Sequence, residues 1–383
     1  MIVKICILKI FGAVMKLLII KVFVLFIRIL YAPMKLRKTE DKIVWLSRQS
    51  DDKSSDMIML EKAISELSPE TKQVFRLRRL KDESALSLSY IFSIFGDMWE
   101  LASAKVAIVD TYSIPVSCLS HKKDLETVQI WHALGAVKKF SLQSAGKAQG
   151  RDLGVSKAMH MHENYDHVIA PSHKTAKFYC EAFGCKEETI KIFSLPRVDV
   201  LLDGTSKREE FLNLNHEYNG KKIVAYIPTF RDNDEFYAEY IYNAFKECED
   251  YKLVISAHPL SKTAENGRYK FNGDFISRDL MKLADIIITD YSACAFEASL
   301  LGKPLYFYIP DYDIYKNEQG LNVDIKNEMP LYSFESAEDL ITAVKGNDYG
   351  FNTLSQFCEM YVENRCKNNT GRMAEFICSL LKN

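Results

Sequence analysis

Two histidines stand where apolar runs stop, and histidine is the side chain whose ordinary titration falls nearest neutral pH. His132 ends Gln129-Ile130-Trp131 and is followed by Ala133-Leu134-Gly135 and by Lys138 and Lys139. At a strand end it could take a proton from an attacking hydroxyl. His258 lies in Ser256-Ala257-His258-Pro259, where Pro259 fixes a turn and leaves the imidazole at the lip. There it could donate to a phosphate oxygen or protonate a leaving group. Either histidine, taken singly, also fits a structural hydrogen-bonding role. A third stretch, Ile227-Pro228-Thr229-Phe230-Arg231-Asp232, ends an apolar run at a proline and brings Arg231 into the same kind of position. Its guanidinium suits bidentate phosphate contact. The plain alternative is a surface ion pair with Asp232 or Asp234.

A fourth stretch covers residues 285–308 and reads strand, turn, helix, turn, strand. Residues 285–289 form an apolar strand, Ser292 caps a helix over 293–301, Gly302 ends it, and the sheet resumes after Pro304. The turn Asp290-Tyr291-Ser292, preceded by Thr289, then falls at a strand's carboxyl end and a helix's amino end. Open α/β sheets bind ligands at that place, and unpaired N–H groups there favour an anion. Glu297 on the helix could accept from a ribose hydroxyl, or simply face solvent. The triplets Asp232-Asn233-Asp234 and Asp311-Tyr312-Asp313 lie in polar loops where acids are common, so no metal site is expected. Neither G-x-x-x-x-G-K-[ST] nor G-x-G-x-x-G occurs, so P-loop and dinucleotide readings lack support and no cofactor is expected.

The elements that must position these residues alternate. Residues 42–47, 73–77, 105–109, 127–131, 167–170 and 190–193 read as strands, with helices over 57–67 and 86–102. After a linker-like Asp203-Gly204-Thr205-Ser206, strands follow at 222–227, 252–256, 285–289 and 305–309, and the tail from 336 reads as helices. Two βα series imply an α/β protein of two Rossmann-like domains facing a cleft, residues 40–205 and 206–383. The 383 residues, 48% hydrophobic and 26% charged, suit two folded domains. A net charge of −1 gives no general case for nucleic-acid binding. Nine scattered cysteines without C-x-x-C pairs read as reduced thiols.

Residues 1–39 differ from the rest. They carry Lys4, Lys9, Lys16, Lys21, Arg28, Lys35, Arg37 and Lys38, no acid, and otherwise mostly aliphatic residues. No uncharged run approaches the ~18 residues of a spanning helix. At about 100° per residue Lys9, Lys16, Lys21 and Arg28 share an arc of roughly 140°. This describes a basic amphipathic helix lying in an anionic membrane surface. The alternative is a helix packed on the protein's own core.

In this order, the strand-end stretches resemble the CDP-glycerol glycerophosphotransferase family of bacterial teichoic acid synthesis. That family shows Trp-His-Gly, Pro-Arg-x-Asp, Pro-Thr-x-Arg-Asp, His-Pro and Thr-Asp-Tyr-Ser-Ser elements. Here they stand as Trp131-His132-Ala133, Pro196-Arg197-Val198-Asp199, Pro228-Thr229-Phe230-Arg231-Asp232, His258-Pro259 and Thr289-Asp290-Tyr291-Ser292-Ala293. The resemblance implies a GT-B-like fold and a CDP-glycerol or CDP-ribitol donor. It also implies an undecaprenyl-diphosphate-linked saccharide acceptor, release of CMP, and peripheral attachment to the cytoplasmic face of the cell membrane. By it, His132 is similar to the base that deprotonates the acceptor hydroxyl. His258 with Pro259, Thr229, Arg231, Thr289, Asp290, Tyr291 and Ser292 resemble the holders of the donor, and Glu297 falls near its ribose. Arg197 and Asp199 belong to the motif without an assigned role. The length is similar to that of members that add a first unit. Two departures matter: Ala133 stands for glycine beside the base, and Ala293 for a second serine. The alternatives are a GT-B capsule glycosyltransferase using a CMP- or UDP-sugar and an inactive membrane scaffold.

Overall fold

In the computed structural model the described residues are 2–80, 88–147, 150–229, 234–256 and 269–382. Two parallel sheets organise the chain. The first has the order β2-β1-β3-β4-β5-β6, from β1 (Lys42–Ser47), β2 (Lys72–Leu77), β3 (Val106–Val109), β4 (Glu126–Gln129), β5 (His167–Ala170) and β6 (Ile190–Ile192). The second has the order β11-β10-β9-β7-β8, from β7 (Lys222–Tyr226), β8 (Tyr251–Ile255), β9 (Ile286–Thr289), β10 (Leu305–Tyr308) and β11 (Ser333–Phe334). Every ladder in both is parallel. Helices on both faces of such sheets explain the near-continuous apolar strands. β1, β3, β9 and β10 are buried at every position. Lys42 opens β1 at 1% exposure because its Nζ donates to Glu100 at 2.8 Å and to the Ser103 hydroxyl at 2.7 Å.

Contacts divide the chain into two compact units. The first comprises Met1–His132, Phe140–Pro196 and Asn368–Asn383; the second comprises Ala133–Lys139 and Arg197–Lys367. In the first unit α2 (Ser55–Leu67) is capped by Ser54, whose hydroxyl accepts from Met57 N, and the C-terminal helix Asn369–Leu380 packs against it. In the second unit the short segment after residue 132 is stitched to the chain near residue 321: Asn322 N and Val323 N donate to Val137 O, and Lys139 N donates to Gly320 O. Gly135 permits this packing, since a Cβ there would stand 2.5 Å from the Phe296 ring.

The amino-terminal segment is a helix, α1 (Ile2–Met34), with a face distribution different from the expected basic stripe. Val24, Ile27 and Tyr31 are buried in a cluster with Tyr90, Ile94 and Met98 of α3 (Leu88–Leu101) and Ile114 and Cys118 of α4 (Ile114–Cys118). Arg28, one of the four stripe residues, stays exposed but is bonded to the protein itself: its Nε donates to Cys118 O at 2.7 Å, and a terminal nitrogen lies 3.0 Å from His160 Nε2. Tyr31 bonds His121 Nδ1 at 3.0 Å. The helix therefore packs on the protein's own core through one face. Its opposite face is apolar and exposed: Val14, Leu18, Ile19, Val22, Leu25, Phe26 and Ile29 are each at least half exposed. No helix among the described residues is long and apolar enough to cross a membrane.

Candidate active site

In the first unit the strand ends assemble around His132. β4 stops at Gln129, and Trp131 adopts φ 57°, a left-handed conformation that a bulky side chain rarely takes. The ring is held there by Phe140 at 4.9 Å and Phe183 at 5.2 Å, centroid to centroid, and by His162 at 6.3 Å. The Trp131 N–H donates to the Gln129 side chain at 2.9 Å. Strain maintained by its surroundings is a mark of functional sites. The next residue, His132, is half-buried, with its Nδ1 3.0 Å from the carbonyl of Asp110, the residue after β3. A carbonyl only accepts, so Nδ1 carries the proton and Nε2 the lone pair. Gln49, just past β1, places its amide nitrogen 3.2 Å from the same Nδ1. With Nδ1 protonated, the amide oxygen is the end that belongs there.

Asp110 itself is 4% exposed. Burial raises its pKa to about 6 against the pull of the Ser47 hydroxyl, which donates to Oδ2 at 2.9 Å. Its Oδ1 is buried without a hydrogen-bond partner. The loop behind Trp131 is also unusual: His160, His162 and Asn164 all have positive φ. Asn164 Nδ2 serves three carbonyls at the end of α4, those of Val116, Ser117 and Leu119. Burial pushes the His162 pKa down to about 3, so this ring is neutral packing for Trp131. Sequence reasoning missed Gln49, Asp110 and His162; Asp110-Thr111 at the end of an apolar run was the available signal.

In the second unit the turn after β9 is tightly internal. Thr289, Asp290 and Tyr291 are fully buried. The Thr289 hydroxyl donates to Ile227 O at 2.7 Å. Asp290 accepts from Thr229 twice, from N at 2.9 Å and from Oγ1 at 2.7 Å, which ties the end of β7 to the end of β9. Tyr291 stacks on Tyr315 at 4.0 Å and donates to Asp311 at 3.1 Å, giving a structural partner to one acid of the second D-x-D triplet. Ser292 is half-buried, and its Oγ accepts from Cys294 N at 3.3 Å. The helix is shorter than expected, Cys294–Ser299, with Ala293 at the cap position, because Leu300 already leaves the ladder and Gly302 turns at φ 61°.

The structure brings two motif residues together that the sequence left apart. Arg197 donates to Glu297 at 2.9 Å, and Glu297 is 8% exposed. The expected solvent- or ribose-facing carboxylate is thus engaged by the Pro196-Arg197-Val198-Asp199 element, whose Asp199 is half-buried in helix Arg197–Leu201. Arg231, His258 and Pro259 lie outside the described residues. No group of three or more metal-ligating side chains occurs among the described residues.

Residues 29–383 match the family CDP-Glycerol:Poly(glycerophosphate) glycerophosphotransferase. A teichoic acid ribitol-phosphate primase of Bacillus spizizenii is 27% identical over 89% of this chain and 92% of its own. A teichoic acid glycerol-phosphate primase of Bacillus subtilis is 28% identical over 73% and 74%. Among solved structures, the wall teichoic acid polymerase TagF aligns with a TM-score of 0.68 at 18% identity, over 91% of this chain and 90% of that one. This shows a shared GT-B-like α/β fold of parallel sheets. The protein belongs to the CDP-glycerol:poly(glycerophosphate) glycerophosphotransferase family and is a transferase of the teichoic acid primase and polymerase group.

Proposed function

We propose that the protein transfers glycerol phosphate or ribitol phosphate from a CDP-polyol to a hydroxyl of a lipid-linked saccharide. The acceptor oxygen attacks the β-phosphorus, the bond to the bridging oxygen breaks, CMP leaves, and a phosphodiester forms. The acceptor's proton passes to Nε2 of His132. The observation that carries this reading is the bond between His132 Nδ1 and Asp110 O, which sets the tautomer a general base needs. The buried clamp of Thr229 on Asp290 supports a donor site at the β9 turn by fixing the backbone there, while Ser292 offers a hydroxyl at its edge. In this reading Thr289, Asp290 and Tyr291 position the donor turn rather than touch the donor. Arg231 and His258 keep the donor-phosphate roles that the family resemblance gives them, and Arg197 with Glu297 braces the following helix. Relatives of both polyol types, and a TagF structure soaked with CDPG, support the donor class.

The same reading places the protein on the cytoplasmic face of the membrane, docked through the exposed apolar face of α1 beside the exposed Lys16 and Lys21. Because the other face of α1 belongs to the core, deletion would confound lipid binding with unfolding. Leu18→Asp combined with Leu25→Asp tests the outer face alone. Co-sedimentation with phosphatidylglycerol vesicles should fall at least tenfold; undiminished sedimentation sinks the membrane claim. For the reaction, purified protein is offered CDP-glycerol, CDP-ribitol and nucleotide sugars with a lipid-linked saccharide. CMP release with one CDP-polyol is expected. Turnover of a CMP- or UDP-sugar alone would make it a glycosyltransferase, and no turnover with any donor would make it a scaffold.

A further inference from the structure

The first unit holds a second feature at the same sheet edge that the base does not use. A pocket of about 220 Å³ opens at the carboxyl ends of β1, β2 and β3. The strand order reverses here, with β1 flanked by β2 and β3, and open α/β sheets bind ligands at such a switch point. Arg48, Arg76 and Arg78 line it, with Tyr90, Asp97 and Ser113. Among the described lining residues one acid stands with three guanidinium groups, and Asp97 is committed to Arg76, whose Nε donates to it at 2.8 Å. Arg78 is anchored through Ser89 O at 2.6 Å. Arg48 is fixed by one donation to Tyr112 O at 3.2 Å and lies near the Tyr90 and Tyr112 rings, while its Nε is buried without a partner. A buried donor of a charged group without a partner is costly unless something accepts from it. Two uncompensated guanidinium groups in so small a space fit a diphosphate, and the volume falls short of the ~300 Å³ at which pockets for whole drug-sized ligands begin.

Two placements say which diphosphate. The first is proximity to the base along the chain. At the end of β1, Arg48 lines the pocket and Gln49 reaches His132; at the end of β3, Asp110 O holds His132 and Thr111 lines the pocket. The second is α3. Tyr90, Ser93 and Asp97 share the face that lines the pocket. The opposite face carries Phe92, 71% exposed, and Trp99, 50% exposed, with the Arg37 guanidinium 4.0 Å over the Trp99 ring. Phe95 of α3 meets Phe26 of α1 edge-on at 6.4 Å, so this apolar surface continues onto the outer face of α1. One helix, about 10 Å thick, thus has an anion pocket on one side and an apolar surface on the other.

We propose that the Arg48–Arg78 pocket takes the diphosphate of a lipid-linked acceptor, with its isoprenoid anchored at the α1–α3 surface and its saccharide extending toward His132. This rests on the transferase reading above, and its test does not depend on turnover. Full-length protein is titrated with farnesyl diphosphate in phosphatidylcholine vesicles, and separately with inorganic pyrophosphate, farnesyl monophosphate and CDP-glycerol. Farnesyl diphosphate is expected to bind at least tenfold more tightly than farnesyl monophosphate or pyrophosphate. Arg48→Ala should weaken it at least tenfold, and Arg48→Lys less. Arg78→Gln, at a site whose side chain holds only one carbonyl, gives a second variant if Arg48→Ala fails to fold. Unchanged farnesyl diphosphate affinity in Arg48→Ala or Arg78→Gln overturns the proposal. Equal affinity for pyrophosphate reduces the pocket to a free-anion site and overturns the lipid assignment. A greater loss of CDP-glycerol binding than of farnesyl diphosphate binding gives the pocket to the donor and overturns it too. Failure of every CDP-polyol to turn over would instead remove the transferase reading and leave the arginine result legible.

Discussion

The strand-end cluster around His132 and the turn after β9 share a topological position, the carboxyl edge of a parallel sheet, yet they are built in opposite ways. The first is strained and incompletely paired. Trp131 sits at φ 57°, Asp110 Oδ1 and Arg48 Nε are buried without partners, and the proposed base, His132, is held at Nδ1 by the Asp110 carbonyl and Gln49. The turn after β9 is packed and interlocked, with Thr289, Asp290 and Tyr291 each bonded to a neighbouring strand end or loop. The difference suits the tasks proposed for them. A site that exchanges a proton needs a group with capacity left over, whereas a site that holds a phosphate through backbone amides needs that backbone immobile.

The contrast can be broken at either end. The largest effect is expected at the proposed base: His132→Ala should lower kcat by about 10²–10⁴-fold with the preferred CDP-polyol. Its urea midpoint should move little, and near-normal turnover would remove His132 from the chemistry. In the interlocked turn the order of effects reverses, with stability failing first. Asp290→Ala leaves the buried Thr229 N–H and hydroxyl without their acceptor and should cost about 3 kcal/mol in urea unfolding. An unchanged midpoint would mean that the clamp contributes nothing.

A smaller effect sharpens the role of the segment after the base. Gly135→Ala forces a methyl against Phe296, at about 2 kcal/mol. Phe296→Leu should recover part of that loss in the double variant, and strict additivity would show that the two sites do not touch.

The smallest effect tests the buried carboxylate behind His132. A carboxyl raised from 3.8 to about 6 stabilises the fold fully below the lower value and loses that contribution as pH rises through the upper one. Between pH 5 and pH 7.5, wild-type stability should therefore fall by about 1 kcal/mol relative to Asp110→Asn, measured by urea unfolding at both pH values. Parallel pH profiles would show that Asp110 does not titrate there. Asp97, raised in the same direction, is present in both proteins and cancels.

Much of this molecule was written in local pattern. Apolar runs such as 42–47 and 286–289, punctuated by Gly302 and Pro304, dictate strands and helices, because burial on both faces requires continuous apolar sequence and turns require particular backbone angles. The order of the motifs named the family, and among the described residues Trp131-His132, Pro228-Thr229 and Thr289–Ser292 sit where a parallel sheet exposes strand ends to a ligand. The bond of Arg28 to Cys118 O, the pairing of Arg197 with Glu297 a hundred residues away, the packing of helix Asn369–Leu380 on α2, and the tautomer of His132 set by Asp110 were decided only in three dimensions. Periodicity reports which face of an element is apolar. It carries no information about which distant donor a given acceptor will meet, because that is fixed by how whole elements pack.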